Sequence, residues 1–194
     1  MQFPSVPAPV ELETDRLLLR TWRDEDRAPF AELCGDPEVM RFFPATLNRT
    51  QSDASIASWQ TQFAERGWGI WAVEIKASAQ FIGFVGLSIP KRALPFTPCV
   101  EVGWRLAASA WGHGYATEAA WRALAFAFDD LRLVEVVSFT ALLNARSIAV
   151  MERIGMVNAE ANFEHPAVPE GHPLRPHCLY RITRDQWSQR APRP

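Results

Sequence analysis

The chain has 194 residues, of which 48% are hydrophobic, and a formal net charge of −2 at pH 7. This length suits one domain with a sizeable core, and the slightly acidic balance disfavours nucleic acid as a partner. No uninterrupted apolar run approaches the roughly 20 residues of a bilayer-spanning helix, so no membrane association is expected. The start of the chain lacks the basic and apolar stretches of a signal peptide, which favours a cytoplasmic location.

Three segments are expected along the chain. Residues 1–12 are rich in proline and predict a flexible lead-in, residues 13–188 predict a single folded domain, and residues 189–194 predict a C-terminal tail. No internal repeat or second domain is indicated.

Cysteine and histidine spacing predicts no metal site. Cys34, Cys99 and Cys178 are odd in number and widely spaced, which favours reduced core residues over a zinc site or a redox pair. Three of the four histidines share the proline-rich segment 164–177, but their spacing matches no compact set of metal ligands.

Hydrophobic spacing predicts a strand, two helices and a hairpin in the first half of the chain. Residues 16–22 predict the first strand, and the charged segment after it begins a short helix that runs towards Cys34. A second helix is predicted over 51–66. Two apolar runs, 68–75 and 81–87, are separated by a polar turn and predict an antiparallel hairpin.

The second half is predicted to alternate strands with helices before ending in two strands. The predicted elements are a strand at 100–106, an alanine-rich helix at 119–126, a strand at 134–139, a helix between Asn144 and Gly155, and strands at 157–163 and 178–183.

Most information about function lies in the run Trp111-Gly112-His113-Gly114-Tyr115-Ala116-Thr117. A strand, a glycine-containing turn and a helix in this order leave backbone N–H groups free at a helix N-terminus, where a phosphate can bind. The chain lacks the Gly-x-x-x-x-Gly-Lys-Ser/Thr of a Walker loop. A dinucleotide loop fits poorly because Glu118 follows where a third glycine is required. A plain glycine turn before a buried helix is the remaining alternative.

Two motifs resemble the GNAT N-acetyltransferase superfamily. Gly114 and Ala116 stand at the fixed small positions of its coenzyme A loop, Gln/Arg-x-x-Gly-x-Gly/Ala, with Trp111 in place of the usual Gln or Arg. The run from Asn144 to Met156 resembles the family's Asn-x-x-Ser-x-x-x-x-Glu-x-x-Gly-Phe/Met helix. The form Trp-Gly-x-Gly-Tyr-Ala-Thr-Glu-Ala is similar to the RimJ/RimL-like branch, whose best-known members acetylate ribosomal protein N-termini.

The resemblance implies an α/β fold with a central mixed sheet, mostly antiparallel, whose parallel fourth and fifth strands splay apart between flanking helices. It also implies acetyl-CoA as co-substrate and no metal. In the family the pantetheine arm enters the splay, so the backbone of Trp104, Arg105 and Leu106 is expected to pair with it. Asn144 is expected to cap its helix and to bond to pantetheine. The residues expected around the pyrophosphate are Trp111, Gly112, His113, Gly114, Tyr115, Ala116 and Thr117.

Acyl transfer to an amine needs a base, because a protonated amine has no lone pair with which to attack the thioester. Strand alternation places Glu101 on one face with Gly103 and Arg105, and many family members use a glutamate on this strand, so Glu101 is the predicted base. An ion pair at the sheet rim is the alternative for this carboxylate. Ser147 is the predicted proton donor to the thiolate, because RimL-like relatives are thought to use a serine there and Met151, in place of the usual tyrosine, cannot donate. The alternative for Ser147 is a hydrogen bond to its own backbone.

The resulting expectation is an acetyl-CoA-dependent N-acetyltransferase that transfers the acetyl group directly, without an acyl-enzyme. The acceptor is a primary amine, either a protein N-terminus or a small molecule, and its entrance is expected between the segments 42–44, 91–96 and 164–177. A non-catalytic module that binds acyl-CoA as a sensor is the alternative from another functional class. The resemblance also allows a homodimer, since homodimers are common in the family.

Overall fold

The computed structural model describes residues 3–190, and Met1, Gln2 and residues 191–194 of the predicted lead-in and tail lie outside the described residues. The strands are β1 (Leu12–Glu13), β2 (Leu17–Arg20), β3 (Ile70–Ile75), β4 (Gln80–Ser88), β5 (Glu101–Leu106), β6 (Glu135–Ala141), β7 (Val157–Asn158), β8 (Phe163–Glu164) and β9 (Pro176–Thr183). The helices are α1 (Arg27–Gly35), α2 (Arg49–Arg66), α3 (Tyr115–Ala125), α4 (Ala145–Arg153) and α5 (Arg184–Ser188).

The strands form one open sheet in which β5 and β6 lie side by side at the centre. The order is β1-β2-β3-β4-β5-β6-β9-β7, with β8 also on β9, and every pair is antiparallel except β5 with β6. β5 pairs with β4 along its whole length but with β6 only where Glu101 faces Val137. Beyond that point the parallel strands diverge. The predicted mixed sheet with splayed fourth and fifth main strands is therefore confirmed.

Helices cover both faces of this sheet. On one face Val102 of β5 packs in a core with Leu124 of α3. On the other face Phe84 of β4 packs with Phe30 of α1 and Ile56 of α2. Since side chains alternate along a strand, consecutive residues of β5 point into these two different layers, and this alternation decides what faces the splay.

The first described residues are bonded to the domain. Val6 and Val10 each donate a backbone N–H to the end of α2 at 2.9 Å. The indoles of Trp68 and Trp71 donate to backbone carbonyls of the same segment at 2.8 and 2.7 Å. Residues 4–10 of the predicted lead-in are thus tied to the domain by hydrogen bonds.

The strand predicted over 157–163 is replaced by two short strands, β7 and β8, which both pair with β9. Between them the Asn158 side chain accepts the backbone N–H of Glu160 at 2.9 Å, and Glu160 has a φ of 52°. A local side-chain bond of this kind competes with the sheet ladder and turns the chain.

Within residues 3–190, none of the helices combines the length and apolar character that a membrane crossing requires. All three cysteines are buried and free, which confirms their prediction as core residues.

Candidate active site

A cavity of about 1660 Å³ lies where β5 and β6 diverge. Its walls come from β5, the loop before α3, the first turns of α4 and the segment that follows α1. Twelve of the thirteen predicted site residues line it: Glu101, Trp104, Arg105, Leu106, Trp111, Gly112, Gly114, Tyr115, Ala116, Thr117, Asn144 and Ser147. The fold therefore brings together residues that the sequence separates by more than forty positions.

The start of α3 has the geometry that an anion site requires. Gly114 caps the helix with a φ of 81°, in the left-handed region that favours glycine. The first helical bond runs from the N–H of Glu118 to the carbonyl of Gly114 at 3.0 Å. The N–H groups of Tyr115, Ala116 and Thr117 consequently have no intrahelical acceptor and lie at the positive end of the helix dipole.

Glu118 and Arg16 anchor this helix start to the first strands. The Glu118 carboxylate accepts hydrogen bonds from the Thr14 hydroxyl at 2.5 Å and from Arg16 Nε at 2.7 Å. Burial raises the pKa of Glu118, but the bonds from Thr14 and Arg16 outweigh that effect and hold the pKa below its ordinary value. The Arg16 guanidinium also lies 4.7 Å from the centre of the Tyr115 ring. The sequence analysis missed Arg16, because its partner lies 102 residues away and no local motif marks the contact.

Trp111 occupies the cavity wall in place of the family's usual Gln or Arg. Its indole N–H donates to the carbonyl of Leu106 at 2.9 Å, and the Arg146 guanidinium of α4 lies 4.4 Å from its ring centre. Trp111 therefore links the end of β5 to α4 across the mouth of the splay. His113 lies outside the cavity lining and is exposed, with its ring stacked on Tyr115 at 5.5 Å.

Glu101 lies at the point where the two parallel strands part. Its carboxylate accepts a hydrogen bond from the Ser88 hydroxyl at 3.3 Å. Burial raises the pKa of Glu101 to about 7, and the bond from Ser88 offsets only part of that effect. A carboxyl group with this pKa is a competent proton acceptor near neutral pH. The alternative of an ion pair at the rim is not what the structure shows, since no basic side chain among residues 3–190 pairs with Glu101.

Ser147 and Asn144 form a bonded pair at the start of α4. Asn144 Oδ1 accepts the backbone N–H of Ser147 at 3.2 Å, which confirms the predicted helix cap. Asn144 Nδ2 donates to Ser147 Oγ at 3.0 Å and to Thr140 Oγ1 at 2.9 Å. Both side-chain amide hydrogens of Asn144 are therefore used within the protein. The Ser147 hydroxyl accepts one of them, so its own hydrogen remains available for another partner. Met151 is buried and lines the same wall.

Another part of the cavity wall is aromatic. Phe43 and Pro44 line it together with His165 and His177, whose rings stack at 4.7 Å. Burial, reinforced by His177, lowers the pKa of His165 to about 4, and burial also lowers the pKa of His177, so both rings are uncharged at neutral pH. Residues 91–96, expected at this entrance, do not line the cavity.

Phe96 places that segment directly behind the cavity wall. Its ring packs against Phe139, which lines the cavity, and against Phe163, at 5.6 and 5.0 Å, so the segment adjoins the cavity without lining it. Among residues 3–190, no group of three or more His, Cys, Asp or Glu side chains is placed to hold a metal ion.

Comparison with known proteins decides the family. Residues 16–157 match the model of the family described as acetyltransferase (GNAT) domain. The chain belongs to the GNAT acetyltransferase family.

Several proteins are similar to this GNAT chain over most of its length. The uncharacterized protein YkkB of Bacillus subtilis strain 168 is 34% identical over 152 residues, which cover 77% of this chain and 86% of that protein. The FsC-acetyl coenzyme A-N(2)-transacetylase of Aspergillus fumigatus is 31% identical over 195 residues, covering 94% of this chain and 80% of that protein. The crystal structure of a GNAT-family acetyltransferase from Bacillus anthracis aligns with a TM-score of 0.75 at 21% identity, covering 91% of this chain and 99% of that chain.

This GNAT domain is therefore an acetyltransferase, and acetyl-CoA is the acetyl donor of GNAT acetyltransferases. The residues present fit that donor. The splay leaves backbone groups of β5 without a strand partner on the β6 side, and three free N–H groups lie at the start of α3.

Proposed function

We propose that this enzyme transfers the acetyl group of acetyl-CoA directly to a primary amine within a ternary complex. The observation that carries the proposal is the position of Glu101, an unpaired carboxyl group with a pKa of about 7, in a cavity that also reaches the anion site at α3. Donor and acceptor can then meet in one space, so no acyl-enzyme is required.

The coenzyme would be held by main-chain groups. The N–H groups of Tyr115, Ala116 and Thr117 would donate to the diphosphate, with Gly112 and Gly114 giving the loop its close approach. The pantetheine amides would pair with the edge of β5 at Trp104, Arg105 and Leu106, which β6 leaves open. Asn144 has no amide hydrogen to spare for pantetheine, so its role is to hold Ser147.

Glu101 would act as the general base, directly or through one water molecule. As the amine nitrogen forms its bond to the acetyl carbon, the ammonium proton passes to the Glu101 carboxylate. Backbone N–H groups of β5 near Trp104 would stabilise the oxygen of the tetrahedral intermediate. The intermediate would then break its C–S bond while the nitrogen gives up its second surplus proton towards the departing sulfur, which releases the neutral amide and coenzyme A as the free thiol.

Ser147 would donate a hydrogen bond to the departing sulfur and relay the proton from nitrogen to it, receiving that proton as it gives its own. Its hydroxyl oxygen already accepts a hydrogen bond from Asn144 Nδ2. Because of that bond, the hydroxyl hydrogen points away from Asn144, the cap of α4. Met151, in the adjacent wall, cannot take this role because a thioether has no hydrogen to donate.

The acceptor is proposed as an amine on either a small molecule or a protein N-terminus. The relative from Aspergillus fumigatus is named as a transacetylase that acts at an N(2) position, which supports nitrogen as the acceptor atom here. The loop from Trp111 to Ala119 supports a place in the RimJ/RimL-like branch. A cytoplasmic location and a homodimer complete the proposal.

A thiol-release screen tests this function. Acetyl-CoA would be incubated with small amines and short peptides, free thiol recorded, and each product identified by mass. We expect thiol release that depends on one class of amine, with a mass increase of one acetyl group. Tight acetyl-CoA binding without turnover of any amine would instead favour the acyl-CoA sensor.

A further inference from the structure

Arg105 carries a charge that the protein does not neutralise. Its side chain lies on the face of β5 opposite the core residue Val102, with the guanidinium 4.2 Å from the ring centre of Phe43 and 5.4 Å from that of Phe84. Nη1 donates to the thiol sulfur of Cys34 at 3.2 Å. Nε is buried and has no hydrogen-bond partner.

No carboxylate among residues 3–190 forms an ion pair with this guanidinium. Burial lowers the pKa of Arg105, and the Cys34 thiol opposes that effect only in part. The thiol is no counter-ion, because burial raises its own pKa. Arg105 is half-buried, and a partly desolvated charge without an ion-pair partner is costly, so its place in a cavity wall points to a function.

Arg20 shows how the same sheet treats a buried arginine that serves structure. Its side chain is only 2% exposed. It donates two hydrogen bonds to the Asp26 carboxylate, at 2.7 and 2.8 Å, and a third to Glu74 at 2.8 Å. Arg105 has apolar rings and a thiol where Arg20 has two carboxylates. The difference points to a counter-ion for Arg105 that comes from outside the chain.

Geometry places that counter-ion on the acceptor. Arg105 and Glu101 lie on the same face of β5, four residues and therefore about 13 Å apart along the strand, and both line the cavity. The coenzyme's phosphates are expected beside the N–H groups of Tyr115 to Thr117, at the start of a helix that packs on the opposite face of the sheet from the Arg105 side chain. A molecule whose amine lies at Glu101 can extend along β5 and present an anionic group to Arg105.

We propose that Arg105 binds a carboxylate on the acceptor, so that the substrate is a small amine that also carries a carboxylate group. This inference rests on the proposed acetyl transfer and names the substrate class of that same site. The planar guanidinium fork matches a carboxylate geometrically, and the flanking rings of Phe43 and Phe84 hold the fork in one plane.

Matched pairs of amines test the proposal. β-Alanine, 6-aminohexanoate and glycylglycine would each be compared with the corresponding carboxamide, with thiol release giving kcat/KM and calorimetry giving binding. We expect at least one carboxylate to be preferred over its amide by about tenfold or more, as a charge-assisted hydrogen-bonded contact provides. In the Arg105→Met variant, which keeps the backbone groups that would pair with pantetheine, we expect about a 100-fold loss for that carboxylate, mostly in KM, and a loss for the amide at least tenfold smaller.

Two further variants separate recognition from folding. Arg105→Lys keeps the charge without the fork and should fall between wild type and Arg105→Met. Arg49→Met removes a surface arginine that pairs with Asp53 on α2, away from the cavity, and should leave the preference unchanged.

The proposal is overturned if amides react as well as carboxylates, or if Arg105→Met lowers both members of a pair equally. It is overturned equally if no carboxylate in the panel binds or reacts while acetyl-CoA still binds. Loss of acetyl-CoA binding by wild-type protein would contradict the proposed function itself, so the two failures give different results.

Discussion

Glu101 is the residue on which the proposed chemistry depends most. Its carboxylate has one weak hydrogen bond, from Ser88, and burial is what raises its pKa to about 7. A carboxyl group shifted this far changes its charge within the working range of most enzymes, and the consequences reach both rate and stability.

The first prediction concerns the dependence of rate on pH. Because the base must be ionised, kcat/KM should rise with pH through an apparent pKa near 7 and then level off. Glu101→Gln should lower kcat/KM by roughly 10²- to 10⁴-fold and remove that rise. Steady-state rates from pH 5.5 to 9 measure this, with Glu65→Gln on the exposed face of α2 as control. A Glu101→Gln variant as active as wild type would end the assignment.

The second prediction concerns stability. The folded-state pKa of Glu101 is above its ordinary value of 4.5, so its favourable contribution to folding is complete below pH 4.5 and is lost as pH rises through 7. Glutamine does not ionise. Glu101→Gln should therefore gain up to about 3 kcal/mol in unfolding free energy relative to wild type at pH 8, and much less at pH 5. Urea unfolding at both pH values measures the difference. An equal gain in unfolding free energy at pH 5 and pH 8 would show that ionisation of Glu101 is not its cause.

The third prediction concerns Ser147. Removing its hydroxyl takes the donor away from the thiolate, so Ser147→Ala should lower kcat by about 10- to 100-fold with little change in KM for acetyl-CoA. Thr140→Val is the matched control, because it removes the other acceptor of Asn144 and leaves the Ser147 hydroxyl in place. Equal losses in the two variants would mean that only the orientation of Asn144 matters.

At the scale of elements, the start of α3 and the splay between β5 and β6 provide the coenzyme site with main-chain groups. Side chains hold those main-chain groups in place. Glu118, for example, accepts hydrogen bonds from Thr14 and Arg16 and so ties the start of α3 to the first strands. Substitutions that change backbone conformation should therefore affect coenzyme binding more than substitutions that trim side chains.

Gly114 allows this to be tested. Its φ of 81° costs an L-residue roughly 1–2 kcal/mol, so Gly114→Ala should strain the loop and weaken acetyl-CoA binding about tenfold or more. Gly35→Ala at the end of α1 is the control, since its φ is not in the left-handed region and a Cβ there meets nothing within 4 Å. Calorimetric titration of both variants measures the affinities, and equal affinities would show that the loop conformation does not matter for binding.

Elements whose signals are local could be predicted from the sequence. The cap at Asn144, the glycine turn before α3 and the hairpin of β3 and β4 depend on neighbouring residues, and the structure has all three. The strand predicted over 157–163 is confirmed only at its two ends, β7 and β8, because the bond between Asn158 and Glu160 turns the chain between them.

At the scale of the whole molecule, contacts between distant residues could not be predicted. Arg16 meets Glu118 across 102 positions, and Arg105 meets Cys34 across 71. Nothing in the local sequence marks Arg105 as a half-buried cation without a carboxylate partner. That property exists only once α1 and β5 are packed together, and it carries the inference about the acceptor.

The central claim is that the molecule binds acetyl-CoA in the splay through its main chain, and a crystal structure of the acetyl-CoA complex tests it most directly. We predict diphosphate oxygens within hydrogen-bonding distance of the N–H groups of residues 115–117, pantetheine paired with β5, and the thioester between Glu101 and Ser147. A coenzyme bound elsewhere, or β5 and β6 paired continuously with the splay closed, would contradict the account.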